Sequence, residues 1–252
     1  ICPRTGGREH RSASSVNVSL VSGGVKVAES IRAFVFFYDE PATPEITTIL
    51  FVGSVRCGIR DRSPPALPAA VSDTATFAGG CFWCMEPPYD AVDGVAATRS
   101  GFSGGTEVDP SYREVAMGNT SHAEVVQVIY DSTKVSYERL LRIYWHNVDP
   151  FDGTGQFCDR GSQYRPAIYT HTEHQRALAE ASREAVAARF DQDIAVAIEP
   201  FGAFYAAEQY HQNYYQKNPR EYKNYRQGCG RDARLREVWG EAAGSDASLA
   251  QK

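Results

Sequence analysis

The segment His122-Ala123-Glu124-Val125-Val126-Gln127-Val128-Ile129-Tyr130 carries the strongest fold signal in the chain. Its β-branched residues predict a strand over 123–130, and apolar side chains on both faces predict a central position in a sheet. Glu124 shares its face with Val126 and Val128, because side chains two apart point the same way. A carboxylate there is costly unless it is paired or protonated, and burial would raise its pKa. Glu124 is therefore a candidate general acid, with a solvated strand end as the alternative interpretation.

Predicted strands and helices alternate on both sides of this segment. Strands are predicted over 74–78, 95–102, 164–170 and 194–200, and helices over 81–90, 136–148, 172–190 and 208–217. We expect the first helix to break near Pro87-Pro88 and the last to stop at Pro219. This alternation favours a mixed sheet with helices packed against it.

Composition divides the chain into unequal parts. Its 252 residues are 42% hydrophobic and carry a net charge of −5, which argues against a nucleic-acid or anionic-membrane binder with a broad basic face. No apolar run approaches the roughly 18 residues of a membrane-spanning helix. Residues 1–72 are net basic, with a Ser- and Arg-bearing start, and we expect a poorly ordered extension or an organelle-targeting segment. The compartment is then a plastid or mitochondrion, or otherwise the cytoplasm.

The turn Gly79-Gly80-Cys81-Phe82-Trp83-Cys84-Met85-Glu86 is the most informative for chemistry. Six cysteines are too few for a disulfide scaffold in a chain of this size. Cys81 falls at a predicted helix N-terminus, where the helix dipole lowers a thiol pKa and favours a nucleophilic thiolate. The spacing Cys81-x-x-Cys84 fits a redox dithiol, half of a zinc site, or a nucleophile with a helper. No second Cys or His pair completes the zinc ligands.

Further candidate groups are less distinctive. Tyr112 and Tyr164 stand in polar, turn-rich segments and could donate hydroxyl hydrogen bonds, but pattern alone does not select them among 14 tyrosines. His122, His146 and His211 match no metal-ligand spacing, so surface or capping roles are expected for them.

Residues 75–240 resemble the type A family of peptide methionine sulfoxide reductases. The matching motifs, in chain order, are Gly80-Cys81-Phe82-Trp83 with Glu86, Gly101-Phe102-Ser103-Gly104-Gly105, Tyr112-Arg113-Glu114-Val115, Gly118-Asn119-Thr120-Ser121-His122-Ala123-Glu124, Asp159-Arg160-Gly161-Ser162-Gln163-Tyr164-Arg165-Pro166-Ala167-Ile168-Tyr169, Glu208-Gln209-Tyr210-His211-Gln212 and Lys217-Asn218-Pro219. Many family members have Gly where this chain has Cys84, so it resembles the GCFWC-motif subgroup.

The resemblance implies an α+β fold with a ferredoxin-like two-layer core and a mixed sheet. The catalytic domain would span 73–240, after an irregular N-terminal extension over 1–72 and before a tail over 241–252. The implied activity is thiol-dependent reduction of the S epimer of methionine sulfoxide, free or in proteins, in repair of oxidative damage.

The resemblance also implies a role for each matching residue. Cys81 would attack the sulfoxide sulfur and become a sulfenic acid, while Glu124 protonates the sulfoxide oxygen. Tyr112 and Tyr164 would hold that oxygen by hydrogen bonds. The remaining implied site residues are Phe82 and Trp83, around the substrate methyl group, and Asp159, as a polar lining residue.

A second thiol must then condense with the Cys81 sulfenic acid to form an intramolecular disulfide. We favour Cys229 as this resolving thiol, because it lies in a Gly-flanked C-terminal tail that we expect to be mobile, with Cys84 as the alternative or a relay. Cys158 adjoins Asp159 and lies near the site or is a small buried residue.

The resemblance further implies a monomer without bound cofactor or metal. Thioredoxin, or dithiothreitol in vitro, would reduce the disulfide. The alternative function is a general CxxC dithiol-disulfide oxidoreductase, whose activity would survive Glu124→Gln.

Overall fold

A computed structural model describes residues 72–249 of the chain. Their main feature is a six-stranded mixed sheet in the order β7-β6-β1-β3-β2-β8. Its strands are β1 (Ser72–Ala78), β2 (Val95–Ser103), β3 (Ala123–Asp131), β6 (Ala167–Thr170), β7 (Ala197–Pro200) and β8 (Phe204–Ala206), and a separate hairpin pairs β4 (Gly155–Gln156) with β5 (Asp159–Arg160). Only β6 and β7 pair in parallel in this sheet. β3 lies between β1 and β2, which confirms its predicted central position.

Seven α-helices accompany the sheet within residues 72–249. They are α1 (Phe82–Asp90), α2 (Tyr112–Ala116), α3 (Tyr137–Trp145), α4 (Glu173–Arg189), α5 (Tyr214–Lys217), α6 (Pro219–Gly228) and α7 (Arg231–Trp239). The Ser136 side chain caps α3 by accepting the Arg139 N–H, and the Thr172 side chain caps α4 in the same way. Both caps lie where the sequence predicts a helix start.

The main core packs helices onto one face of the central strands. The predicted apolar stripe of α3 is buried there, and Phe77 of β1 stacks on Tyr144 of α3 and Tyr89 of α1, both at 5.3 Å between ring centroids. Val126 and Val128 of β3 belong to this cluster. The expected mixed α+β architecture is therefore confirmed, and the face that carries Glu124 is the one the helices cover.

Several predicted boundaries differ from the structure. Helix α1 continues through Pro87 and Pro88, because the fixed φ of proline is compatible with a helix. The Pro87 carbonyl also still accepts a helical hydrogen bond, from the Ala91 N–H at 3.3 Å. Pro219 begins α6 rather than ending a helix, since the first helical position needs no N–H donor. The predicted strands over 164–170 and 194–200 begin later, at Ala167 and Ala197.

The segment around Cys229 is helical, in contrast to the mobile tail expected from the sequence. Cys229 itself caps the C-terminus of α6. Leu235 and Trp239 of α7 are buried in the main core, and the Trp239 indole N–H donates to the Val148 carbonyl at 2.9 Å. Burial of these two side chains orders the segment.

The predicted N-terminal extension lies outside the described residues, apart from Ser72, as do the last three residues of the predicted tail. None of the helices within residues 72–249 combines the length and the apolar composition that a membrane span requires.

Candidate active site

Cys81 lies at the junction between β1 and α1. The chain leaves β1 at Ala78, turns through Gly79 and Gly80, and starts α1 directly after Cys81. Gly80 has a φ of +81°, and a Cβ there would lie 2.6 Å from Gln156, so only glycine fits this turn. The Cys84 N–H donates to the Cys81 carbonyl at 3.0 Å, which places both cysteines on the first turn of α1.

The two thiols form a hydrogen-bonded pair enclosed by protein. Cys81 is 6% exposed and Cys84 is 1% exposed. Burial and the hydrogen bond to Cys84 raise the pKa of Cys81 well above its ordinary range. The same hydrogen bond, helped by the charges of Arg231 and Arg226, lowers the pKa of Cys84 to about 6 despite its burial. At neutral pH the pair therefore holds one thiol proton and one negative charge.

This corrects the predicted lowering of the Cys81 pKa. The Cys81 side chain makes no hydrogen bond to the backbone N–H groups at the start of α1, so the helix end does not ligate its sulfur. The positive charges lie on the side of Cys84 instead.

Glu124 on β3 reaches the same helix end. Its side chain is 2% exposed, and its Oε2 accepts the Phe82 N–H at 3.1 Å. Burial outweighs this hydrogen bond and raises the pKa of Glu124 to about 8. The carboxyl is therefore mostly protonated at neutral pH, and the solvated strand end considered for it is wrong.

Aromatic rings pack in the same cluster as Cys81. The Phe82 ring lies 6.2 Å from Tyr112 and 5.2 Å from His211. Trp83 stacks on Tyr214 at 3.8 Å, and its indole N–H donates to Nδ1 of His211 at 3.0 Å. These contacts hold Phe82 and Trp83 as rigid apolar walls.

His211 is buried, in contrast to the surface or capping role expected from its spacing. Burial lowers its pKa, so the ring stays neutral and Nδ1 can accept the Trp83 proton. The neighbouring Gln212 side chain pins this turn to β2 by accepting the Ser100 N–H at 2.9 Å and donating to the Ser100 carbonyl at 2.8 Å. These tertiary hydrogen bonds explain why residues 208–213 form a turn rather than the predicted helix.

Two tyrosine hydroxyls belong to the same electrostatic cluster. Tyr112 begins α2, and Tyr164 ends the short 3-10 helix Ser162–Tyr164. Both side chains are half-buried, and burial followed by the charge of Glu124 raises the pKa of each. Both hydroxyls therefore remain protonated donors. The structure thus brings together the two tyrosines that sequence pattern alone could not select.

Tyr225 on α6 is a site residue that the sequence analysis missed. Its hydroxyl donates to Oδ2 of Asp159 at 2.5 Å and hydrogen-bonds with the sulfur of Cys81, and burial raises its pKa. Asp159 was expected to line the site, and burial raises its pKa as well. No local pattern distinguishes Tyr225, because its contacts come from the docking of α6.

Arg231 is a second residue that the sequence analysis missed. The side chain is 1% exposed and donates to the carbonyls of Gly79 at 2.9 Å and Asn147 at 2.8 Å. Its guanidinium also lies 4.4 Å from the Phe157 ring centroid. No carboxylate within residues 72–249 forms a salt bridge with Arg231, so the charge of Cys84 is a natural counterpart for it.

A disulfide joins Cys158 to Cys229 at the edge of this site. Cys158 is exposed, and Cys229 is half-buried one helical turn after Tyr225. Cys229 therefore holds no free thiol in this state, and Cys84 is the thiol that contacts Cys81.

Cys158, Asp159 and Cys229 are also the one group within residues 72–249 whose potential metal-ligand atoms cluster, all within 4.8 Å of one another. The bond between their two sulfurs leaves no thiolate for zinc, so this state does not fit a metal centre.

Comparison with known sequences points to one family. The sequence model of a family described as peptide methionine sulfoxide reductase matches residues 73–243. A curated relative from Caulobacter vibrioides, named peptide methionine sulfoxide reductase MsrA 2, is 46% identical over 76% of this chain and 97% of its own length. A relative from Halalkalibacterium halodurans, named peptide methionine sulfoxide reductase MsrA, is 47% identical over 67% of this chain and 97% of its own.

Solved structures give the same answer for the fold. Mxr1 from Saccharomyces cerevisiae in its reduced form superposes with a TM-score of 0.57 at 33% identity, over 61% of this chain and 89% of that chain. Methionine sulfoxide reductase A of Corynebacterium diphtheriae gives 0.54 at 36% identity, over 59% and 76% of the two chains. This chain belongs to the peptide methionine sulfoxide reductase family, type A.

Proposed function

We propose that this chain reduces the S epimer of methionine sulfoxide, free or in proteins, to methionine. One observation carries the proposal: the buried, largely protonated carboxyl of Glu124 accepts the backbone N–H of the residue after Cys81. A sulfoxide is a poor electrophile until its oxygen is protonated or strongly hydrogen-bonded. A neutral acid beside a nucleophilic sulfur supplies that activation.

The aromatic side chains packed beside Cys81 fit the rest of a methionine sulfoxide. Phe82 and Trp83 offer apolar surface for the methyl group bonded to the sulfur. Tyr112 and Tyr164, both protonated, can donate to the sulfoxide oxygen together with Glu124. These donors stabilise the negative charge that grows on that oxygen as the sulfur is attacked.

In the first step the Cys81 sulfur attacks the sulfoxide sulfur while its own proton passes to the Cys84 thiolate. Glu124 gives its proton to the sulfoxide oxygen, so that the substrate sulfur carries a hydroxyl group and a bond to Cys81. The hydroxyl then moves from the substrate sulfur to Cys81 as the sulfur–sulfur bond breaks, which releases methionine and leaves Cys81 as a sulfenic acid. The sulfoxide sulfur gains two electrons and Cys81 loses two. The hydrogen bond between the two cysteines is the path for the thiol proton.

In the second step the Cys84 thiol condenses with the Cys81 sulfenic acid. A sulfur–sulfur bond forms and the oxygen leaves as water. Cys84 serves better than the favoured Cys229, since it already contacts Cys81 and Cys229 is bonded to Cys158. This role assigns the chain to the GCFWC-motif subgroup.

An external dithiol must then restore the enzyme, because each turnover oxidises two thiols. We assign this role to thioredoxin, with dithiothreitol as its substitute in vitro, and a monomeric enzyme without bound cofactor suffices. Repair of oxidised proteins is the corresponding biological role. Asp159 lines the site and holds the Tyr225 hydroxyl next to Cys81.

The test is turnover of separate S and R epimers of N-acetyl-methionine sulfoxide with excess dithiothreitol. Product should form from the S epimer alone. Cys81→Ser should abolish product, and Glu124→Gln should reduce kcat/KM by roughly 10²–10⁴-fold, the usual contribution of a general acid.

Turnover of neither epimer by folded protein, with Cys81 shown by alkylation to be a free thiol, would overturn the proposal. A general dithiol-disulfide oxidoreductase would instead exchange disulfides equally well with and without the Glu124 carboxyl.

A further inference from the structure

One buried hydrogen-bond donor beside the site has no partner. The Nδ1 atom of His211 accepts the Trp83 indole N–H at 3.0 Å, and an indole nitrogen can only donate. The proton of the neutral imidazole therefore lies on Nε2. That atom is buried, and no group within residues 72–249 accepts a hydrogen bond from it. A buried donor without an acceptor is costly, so this one calls for a physical explanation.

The Glu208 carboxylate faces this donor. Its Oε2 lies 4.0 Å from Nε2 of His211, which is about 1 Å beyond hydrogen-bond distance. The Glu208 side chain is 43% exposed, so solvent on one side leaves it room to rotate toward the ring. Its charge already acts on the imidazole, where it opposes the lowering of the His211 pKa by burial. A small movement of the Glu208 carboxylate therefore supplies the missing acceptor.

The other oxygen of the same carboxylate holds Tyr112. Oε1 of Glu208 accepts the Tyr112 N–H at 3.2 Å, at the first residue of α2. The Tyr112 ring also packs on the His211 ring, with 4.1 Å between the ring centroids. One carboxylate is thus linked to two groups beside Cys81, directly to the Tyr112 backbone and through His211 to the Trp83 indole.

We propose that Glu208 is a positioning residue of the sulfoxide site, whose carboxylate fixes the Tyr112 backbone and, through His211, the Trp83 indole. The inference rests on the proposed function, because it takes Trp83 as a wall for the substrate methyl group and Tyr112 as a donor to the sulfoxide oxygen. Glu208 itself transfers no proton and touches no reacting atom in this role.

The link to Trp83 depends on the tautomer of His211. A carboxylate that faces Nε2 favours the proton on that nitrogen and leaves Nδ1 free to accept the indole N–H. Removing the carboxylate weakens this preference. In the other tautomer Nδ1 carries the proton, and two donors then face each other, so the Trp83 indole loses its anchor. A shift of about 1 Å in a group that positions the substrate can lower the rate by up to about 10²-fold.

The first test follows the indole N–H signals of the reduced full-length protein in proton–nitrogen correlation spectra. The chain has three tryptophans, and Trp83→Phe assigns the signal of Trp83. Glu208→Ala should move this signal. The signals of Trp145 and Trp239 are internal controls and should stay in place, because their N–H groups donate to acceptors outside the site.

Glu208→Gln should also move the Trp83 signal. Its one amide oxygen replaces one of the two carboxylate oxygens and stays with the Tyr112 N–H, so an NH₂ group that cannot accept then faces Nε2 of His211. An unmoved Trp83 signal in both variants would overturn the proposal. If Glu208→Ala does not fold, Glu208→Gln decides alone by the same signal.

The second test is steady-state reduction of the S epimer of N-acetyl-methionine sulfoxide with dithiothreitol. Glu208→Ala should lower kcat/KM by about tenfold or more, and Glu208→Gln by less. Glu180→Ala is the matched control, since Glu180 is 44% exposed and pairs with Arg176 on α4, and it should keep the wild-type kcat/KM. An unchanged kcat/KM in Glu208→Ala would contradict the positioning role.

A double-variant cycle shows whether Glu208 acts through Trp83. Trp83→Phe leaves no indole N–H for His211 to hold, so adding Glu208→Ala there should cost at least about twofold less in kcat/KM than in the wild-type background. Equal losses in both backgrounds would refute the link. Absence of turnover by the wild-type protein would instead contradict the proposed function, whereas the indole signals test the link without any turnover.

Discussion

Replacing Glu124 by Gln should stabilise the folded protein, increasingly so at higher pH. The pKa of this carboxyl is about 8 in the fold against an ordinary value of 4.5. Between these values the folded state binds a proton that the unfolded chain has released, so the free energy of unfolding falls as pH rises. A glutamine has the same shape, does not ionise, and can still accept the Phe82 N–H through its side-chain oxygen.

The size of the effect follows from the two pKa values. One pKa unit corresponds to about 1.4 kcal/mol. Ionisation of Glu124 therefore destabilises the wild-type fold by about 1 kcal/mol at pH 5, about 3 kcal/mol at pH 7 and about 5 kcal/mol at pH 9, relative to its neutral form. The stability gain of Glu124→Gln should grow by these amounts, while its kcat/KM falls by roughly 10²–10⁴-fold.

The measurement is urea unfolding of wild type and variant at pH 5, 7 and 9 with both proteins in the same thiol state. Glu114→Gln is the matched control: hydrogen bonds from Ser111 lower the pKa of this exposed carboxyl, so its removal should give no stability gain that grows with pH. A difference between Glu124→Gln and wild type that stays constant from pH 5 to 9 would refute the reasoning, because Glu124 would then titrate alike in the folded and unfolded chains.

Three further predictions follow from the same contacts. The pH profile of kcat/KM should be bell-shaped, with an acid limb near the Cys84 pKa of about 6 and an alkaline limb near the Glu124 pKa of about 8. Glu124→Gln should remove the alkaline limb, and steady-state kinetics of both proteins from pH 5 to 10 measures this. Arg231→Met should raise the pKa of the Cys84 thiol by roughly 1 to 3 units, measured by ultraviolet absorbance of the thiolate. Arg231→Lys keeps the positive charge and should keep most of the lowered Cys84 pKa. An unchanged Cys84 pKa in the Met variant would contradict the role of Arg231 as counter-ion. Trp239→Ala should lower the free energy of unfolding, measured by urea titration, by about 3–5 kcal/mol, since it leaves a cavity in the core and removes the hydrogen bond to the Val148 carbonyl. Trp239→Phe should lower the free energy of unfolding by less, because it fills most of the cavity. Equal losses of stability in the two variants would assign the effect to the hydrogen bond alone.

Much of the fold could be predicted because it depends on residues close together in sequence. Period-two alternation and β-branched residues identify β3, and the 3.6-residue stripe with Ser136 as its cap identifies α3. The turn at Gly79 and Gly80 places Cys81 at a helix start in the same way. The errors fell where tertiary contacts override local preference, as in the turn that Gln212 pins to β2.

The residues of the candidate site also fall into those that local sequence indicates and those that only tertiary contacts bring together. Cys81 and Glu124 could be proposed because a cysteine after a glycine turn and a carboxylate on an apolar strand face are unusual locally. Tyr225 and Arg231 could not be proposed in this way, since no motif in the sequence around them marks them as site residues. Tyr225 contacts Cys81 and Arg231 contacts Gly79, and the partners in each contact are far apart in sequence. The sequence also could not predict which of Cys81 and Cys84 holds the thiol proton, because this depends on burial and on the charges of Arg226 in α6 and Arg231 in α7.

The sequence by itself therefore determined the order of the main strands and helices along the chain, the position of Cys81 at the start of α1, and the placement of Glu124 on an apolar face of β3. Each of these follows from backbone geometry and hydrophobic periodicity over a few residues. Only the tertiary structure decided which tyrosine faces Cys81, which guanidinium faces Cys84, and that Cys158 bonds to Cys229. Those pairings depend on where α6 and α7 dock, and docking is set by packing of side chains such as Trp239 across the whole domain.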